Sequence, residues 1–226
     1  MKPSSIFNLF KKIAKISSFK EDYIQTLISS GVKIIDSKSV YIDNSVEISP
    51  GSTIYPSTYL IGKTKIASNC IIGPNTTISN SSIGSNSIVM SSVILDSFIG
   101  ENNEIGPFSF IRESSSTEEN VVIGNFVEIK SSKIGKNSKS KHLSYIGDAE
   151  INKNVNFGAG FVMANYDGKN KNKSVVEDNV FIGSNSTVIS PVVIKNDAII
   201  GAGSVVNKDI LSGDKVAGKP ARSIKN

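Results

Sequence analysis

The stretch Val176–Val206, VEDNVFIGSNSTVISPVVIKNDAIIGAGSVV, places Val176, Ile182, Val188, Ile194, Ile200 and Val206 six residues apart without a miss. The same beat runs through Ile42, Ile48, Ile54, Leu60, Ile66, Ile72 and Ile78, and returns at Ile99, Ile105 and Ile111 and at Ile123 and Ile129. A period of six fits neither a helix nor an isolated amphipathic strand. It is the hexapeptide signature of a parallel β-helix, in which each unit is a short strand plus a turn. One unit cannot bury its aliphatic side chain alone. Stacked units can, and each buried side chain then contributes about 1.5–3 kcal/mol. Ile and Val suit the column because β-branching stiffens χ1 and fits a pleated surface. Gly often follows the aliphatic, as in Ile72-Gly73, Ile105-Gly106 and Ile182-Gly183, and Asn, Ser and Asp crowd the positions beyond it. These residues accept tight turns and left-handed backbone. A generic antiparallel sandwich would instead show period-two alternation and irregular spacing.

At 226 residues, the chain reads as one elongated all-β domain with a small appendage. Trp is absent and aromatics make up 7%, as expected of a core made from stacked aliphatics. One cysteine, Cys70, permits no internal disulfide and suits a reducing compartment. There is no apolar run of membrane-spanning length and no signal-peptide pattern, so a cytoplasmic location is expected. A net charge of +5 with scattered lysines favours small anionic ligands or plain solubility. No basic cluster interleaved with stacking aromatics points to nucleic acid.

Three regions leave the beat. In residues 1–31, Ile6, Leu9, Phe10, Ile13 and Ile16 share a helical face with Lys11, Lys12 and Lys15 beside it, and Tyr23, Ile24, Leu27 and Ile28 form a second short pattern ending at Gly31. This is read as a helical arm that packs on the solenoid end or on a neighbouring subunit; a basic helix lying on a membrane surface is the other reading. The second irregularity surrounds the only histidine, His142: Ile134 and Ile151 are seventeen apart, not a multiple of six. A slip of register there would turn side chains in new directions. The third follows Met163, where the next beat residue, Val176, is thirteen away and residues 165–173 form a polar loop. Insertions in solenoids gather on one face and often line a binding site, although a plain surface loop has the same composition.

The run from His142 to Gly168, HLSYIGDAEINKNVNFGAGFVMANYDG, resembles the acetyltransferase domain of the bifunctional GlmU family, which combines glucosamine-1-phosphate N-acetyltransferase and N-acetylglucosamine-1-phosphate uridyltransferase activities. GPFSFIR ending at Arg112, GNFVEIK ending at Lys130, VFIGSNSTVISPVVI and IIGAGSVV are similar to the same family. The likeness covers roughly residues 24–210. The Gly-rich nucleotide-binding segment of the uridyltransferase half is missing, so a stand-alone acetyltransferase without uridyl transfer is expected. The domain division expected is an arm over 1–31, a left-handed β-helix over 32–210 and a tail over 211–226, with the handedness taken from the resemblance.

That resemblance implies acetyl transfer from acetyl-CoA to the 2-amine of glucosamine 1-phosphate; another amino sugar, nucleotide-linked in one variant, is the alternative. It implies His142 as general base, a role suited to a pKa near working pH, and Glu128 as the acidic residue near it that either orients the ring or stabilises its charged form, an exposed carboxylate being the plain reading of that residue. Ala159, within Gly158-Ala159-Gly160, would supply a backbone donor to the oxyanion. Arg112 and Lys130 would contact phosphate and sugar, Tyr145 and Asn156 the sugar, and Lys171 would be a third cation. Acetyl-CoA would lie along the C-terminal coils against Ala159, Asn165, Tyr166, Ser184 and Ala202, with Lys219 at the position of the family's CoA-binding arginine and Arg222 nearby. Phe161-Val162-Met163-Ala164 departs from the smaller or hydroxyl residues usual there. A homotrimer with sites between subunits is implied as well, and an open solenoid flank agrees with it, because one flank does not enclose a ligand. Acetyl transfer needs no metal, and one His with one Cys makes no transition-metal site. A zinc-dependent carbonic anhydrase on this fold would need three histidines. A non-catalytic scaffold is the remaining reading.

Overall fold

The computed structural model describes residues 21–224. The expectation for the amphipathic pattern Ile6–Ile16 lies outside these residues. The described chain is a left-handed parallel β-helix of about ten turns preceded by one helix. Each turn contributes one short strand to each of three parallel sheets of twelve, ten and nine strands. A single antiparallel strand, Arg222–Ser223, closes the first sheet by pairing with Lys215–Ala217. No described helix is long and apolar enough to cross a membrane.

The hexapeptide beat becomes columns of side chains. Ile54, Ile72, Val89, Ile105 and Ile123 follow one another in strict cross-strand register on the first sheet. Ile42 heads the corresponding column of the second sheet, which continues through Leu60, Ile78, Ile94, Ile111, Ile129 and Ile146, all of them buried. At the corners, residues with positive φ are mostly Asn, Ser and Asp. Several of them form a ladder in which Asn137 donates to Asn154 at 3.0 Å, Asn154 to Asn179 at 2.9 Å and Asn179 to Asp197 at 3.0 Å. Short polar side chains tolerate this backbone and satisfy one another along the solenoid axis.

The helix α1, Glu21–Ser29, covers the N-terminal end of the solenoid. Ile24 and Leu27 are buried in the main core, and the Tyr23 hydroxyl donates to the Val46 carbonyl. Gly31 follows with φ +96°, the left-handed conformation that ends many helices.

The two central irregularities are absorbed differently. Around His142 the turn is one residue short of three hexapeptides: Ile123 pairs with Ser140 and Ser140 with Phe157, each 17 residues on, against 18 from Ile182 to Ile200, and the earlier coils use 17 from Ile72 to Val89 and 16 from Val89 to Ile105 as well. The corner takes up the difference and the strands keep their phase, so inward and outward faces are preserved. The exception is chemical: Ser140 occupies an inward position held in the other turns of this sheet by Ile, Val or, at residue 157, Phe, and its hydroxyl is buried without a hydrogen-bond partner. After Met163 the chain makes an excursion. Phe157 pairs with Ile182, 25 residues on, and the extra residues form the loop through residues 165–173.

Candidate functional site

His142 ends the first-sheet strand Lys139–His142, at the corner leading to the second sheet, and is exposed. The corners of the following turns stack on it. Gly160 N donates to the His142 carbonyl at 3.4 Å, Asn185 N to the Ala159 carbonyl at 2.7 Å and Gly203 N to the Ser184 carbonyl at 2.7 Å. His142, Ala159, Ser184 and Ala202 thus rise in one corner column, a juxtaposition that linear spacing did not display. The Ala159 amide makes no hydrogen bond among the described residues, which leaves it able to donate to a ligand. Close packing constrains the column: a Cβ at Gly158 would collide with the Ser184 backbone, and Gly160 has φ +76°.

On the adjoining second sheet, Arg112 pairs with Lys130 and Lys130 with Gly147, while Glu128 pairs with Tyr145. The period-two alternation of a strand points these residues outward while Ile111, Ile129 and Ile146 point inward. Arg112 donates to Glu128 through Nε at 2.8 Å and Nη2 at 2.6 Å. Its Nη1 donates to Glu113, whose second carboxylate oxygen lies 3.2 Å from Lys130 Nζ. Lys130 is 7% exposed, so its ammonium needs that partner. The Tyr145 ring lies over Gly147, where a Cβ would collide with the hydroxyl.

The loop closes over this cluster. Asn165 is buried and donates to Asp148 and, at 3.5 Å, to the Tyr145 hydroxyl. Tyr166 is exposed, bridges to Lys171 and donates its hydroxyl to the Gly168 carbonyl at 2.7 Å. Hydrogen bonding to Lys130, reinforced by that ammonium's charge, holds Lys171 below the ordinary lysine pKa. Asp167 organises the loop: the amides of Asn170 and Lys169, then the Asn172 side chain, bring its carboxyl down to about 2. A cleft of about 440 Å³ lies beside the cluster, bordered by Glu113, Lys133, Asp148 and Lys173. It contains neither His142 nor Lys130, so it flanks the candidate chemistry without enclosing it.

The residues singled out from the sequence therefore fall into two neighbouring groups and three outliers. One group is the column from His142 to Ala202. The other joins Arg112, Glu128, Lys130, Tyr145 and Lys171, and it also takes in Asn165, which the resemblance assigns to the CoA arm. Glu128 is bonded to Arg112, and the His142 ring makes no hydrogen bond among the described residues. Asn156 stands on the first sheet, a different face from Tyr145. Tyr166 projects from the loop, and Lys219 is exposed in the turn before Pro220 at the C-terminal end. Glu113 and Asp148 escaped the sequence reading; only the adjacency of Glu113 to Arg112 hinted at the first. No group of three or more His, Cys, Asp or Glu residues suited to a metal ion occurs among the described residues.

Two family models match the chain: the GMPPB C-terminal domain over residues 36–134 and the bacterial transferase hexapeptide (six repeats) over residues 173–208. The bifunctional protein GlmU of Clostridioides difficile (strain 630) is 48% identical over 196 residues, which is 87% of this chain and 43% of that protein. GlmU of Thermotoga maritima is 48% identical over 187 residues, 83% of this chain and 42% of that protein. The chain thus spans less than half the length of these curated relatives. Among solved structures, the UDP-N-acetylglucosamine acyltransferase LpxA from Bacteroides fragilis 9343 superposes with a TM-score of 0.54 at 18% identity, covering 84% of this chain and 74% of that one. That likeness is one of fold.

Proposed function

The chain belongs to the hexapeptide-repeat family that includes the acetyltransferase portion of the GlmU proteins, and from that premise we propose that it transfers acetyl from acetyl-CoA to the 2-amine of glucosamine 1-phosphate. The observation that carries this reading is the meeting of two groups at one corner: an exposed histidine with a free backbone amide one turn above it, beside a cluster of cations. Acetyl-CoA supplies the activated acyl group. The neutral 2-amine attacks through its lone pair; His142 takes a proton from that nitrogen as the C–N bond forms, and as the C–S bond breaks the departing thiolate receives it and leaves as the CoA thiol, with help of this kind giving about 10²–10⁴-fold. The Ala159 amide donates to the oxygen that becomes negative. The low ridge of Ala159, Ser184 and Ala202 lets a thin pantetheine arm lie against the coil.

Arg112, Lys130 and Lys171 hold the phosphate, and Tyr145 bears on the sugar. Glu128 positions Arg112 in this scheme, and any effect on His142 passes through the acceptor. Asn156 and Tyr145 stand on different faces of one solenoid, so a single acceptor touches both only when they come from different copies. That agrees with a homotrimer whose sites lie between subunits, and the compartment proposed for it is the cytoplasm, where acetyl-CoA is available. The test is release of the CoA thiol from acetyl-CoA with glucosamine 1-phosphate as acceptor. Release that depends on the acceptor and disappears in His142→Ala upholds the reading; equal rates in the two proteins overturn it.

A further inference from the structure

Among the described residues, every non-glycine residue at positive φ is Asn, Asp or Ser except Phe108, Glu113, Phe126 and Leu143. All four lie in the segment that holds the candidate site. Unfavourable backbone of this kind persists where the surroundings enforce it and tends to gather at functional sites. Glu113, at φ +55°, is the only charged side chain longer than aspartate among them.

Its carboxylate lies where an acceptor's phosphate would have to bind. One oxygen accepts from Arg112 Nη1, and the other lies 3.2 Å from Lys130 Nζ. Glu128 already occupies Nε and Nη2 of the same guanidinium. Three cations, Arg112, Lys130 and Lys171, are thus faced by three carboxylates, Glu113, Glu128 and Asp148. The cluster is balanced before any ligand arrives, and a phosphate cannot gain both cations while Glu113 keeps them.

We propose that Glu113 is an internal competitor for the phosphate site, a specificity-determining carboxylate that leaves Arg112 and Lys130 when a phosphorylated amino sugar binds and returns to them when the product departs. This rests on the function proposed above and deepens it. Glu113 is 40% exposed on its side chain, so it has solvent to swing into, whereas Lys130 is enclosed and stays in place. The exchange weakens binding of any phosphate, including the product's, and so favours turnover over retention. An acceptor without phosphate leaves the carboxylate where it is.

The test compares wild type with Glu113→Gln and Glu113→Asp. In Glu113→Gln, the KM for glucosamine 1-phosphate and the inhibition constant of inorganic phosphate each fall about fivefold, the scale of one partly exposed ion pair. The ratio of kcat/KM for glucosamine 1-phosphate to that for glucosamine rises by the same factor. Glu113→Asp keeps the charge, tolerates the left-handed backbone and cannot span both cations; it shifts the same constants in the same direction by less. Unchanged or weaker phosphate binding in both variants overturns the proposal and makes Glu113 a residue that merely places the two cations. If the wild type acetylates no amino sugar, the function fails separately, and calorimetric titration with inorganic phosphate still decides the role of Glu113 by the same criterion.

Discussion

Residues 41–106 and residues 107–190 are built from the same triangular turn and diverge at its surface. In the earlier stretch the corners with positive φ are Asn, Ser, Asp or Gly, and Tyr41 stacks on Tyr59 at 4.7 Å on the outer face. In the later stretch Phe108, Glu113, Phe126 and Leu143 take corner positions, Lys130 and Asn165 are buried, and one turn swells to 25 residues. The inward column hardly notices. Ile78 and Ile94 in the first stretch, and Ile111, Ile129, Ile146 and Met163 in the second, are equally inaccessible. Cross-strand hydrogen bonding fixes the inward residue of each turn, while corners and outward positions are free to vary, so chemistry can be added without disturbing the core.

The contrast can be broken most forcefully at His142. His142→Ala should lower acetyl transfer about 10²–10⁴-fold while the melting temperature stays within a degree or so of wild type, because the ring is exposed and unbonded. A fall in both would mean that the histidine holds the corner together. Ile129→Ala should do the reverse in kind: a buried member of the column is lost, unfolding free energy drops by about 2–5 kcal/mol, and denaturant titration reads it. The equivalent Ile94→Ala should cost a similar amount, and a much smaller loss in either would show that the two stretches are not equally packed.

Ser140 sharpens the comparison from within the core. Replacing its unpartnered hydroxyl by Ser140→Val should raise stability by about 1 kcal/mol in the same titration, and a loss would show that the site lacks room beside Phe157. The smallest effect concerns pH. Asp167 has a folded pKa of about 2 against an ordinary 3.8, so its hold on the loop is complete above about pH 4 and is lost as pH falls toward 2. Amide chemical shifts of Lys169 and Asn170 should therefore follow that titration, and Asp167→Asn should abolish the pH dependence.

Much of this was readable in the chain. The column residues from Ile42 to Val206 announced a parallel β-helix because a six-residue period has few other physical causes. His142 and the loop after Met163 stood out because they interrupt that period. The linear order hid the side-chain pairing across turns. Glu113 and Lys130 are seventeen residues apart in sequence and meet only because one turn separates them in space. The expected reorientation around His142 did not arise, since a single missing residue is absorbed at a corner while the strands hold their register.

The sequence by itself determined the repeating turn, its buried column and the places where the pattern is interrupted, because burial of one aliphatic side chain per six residues is a local rule that stacking only repeats. The tertiary structure alone decided which interruptions meet. Stacking converts separations of seventeen to twenty-five residues into adjacent rungs, and so it sets His142 beneath Ala159 and Ser184, gives Lys130 to the carboxylate of Glu113, and brings Asn165 to Tyr145 and Asp148.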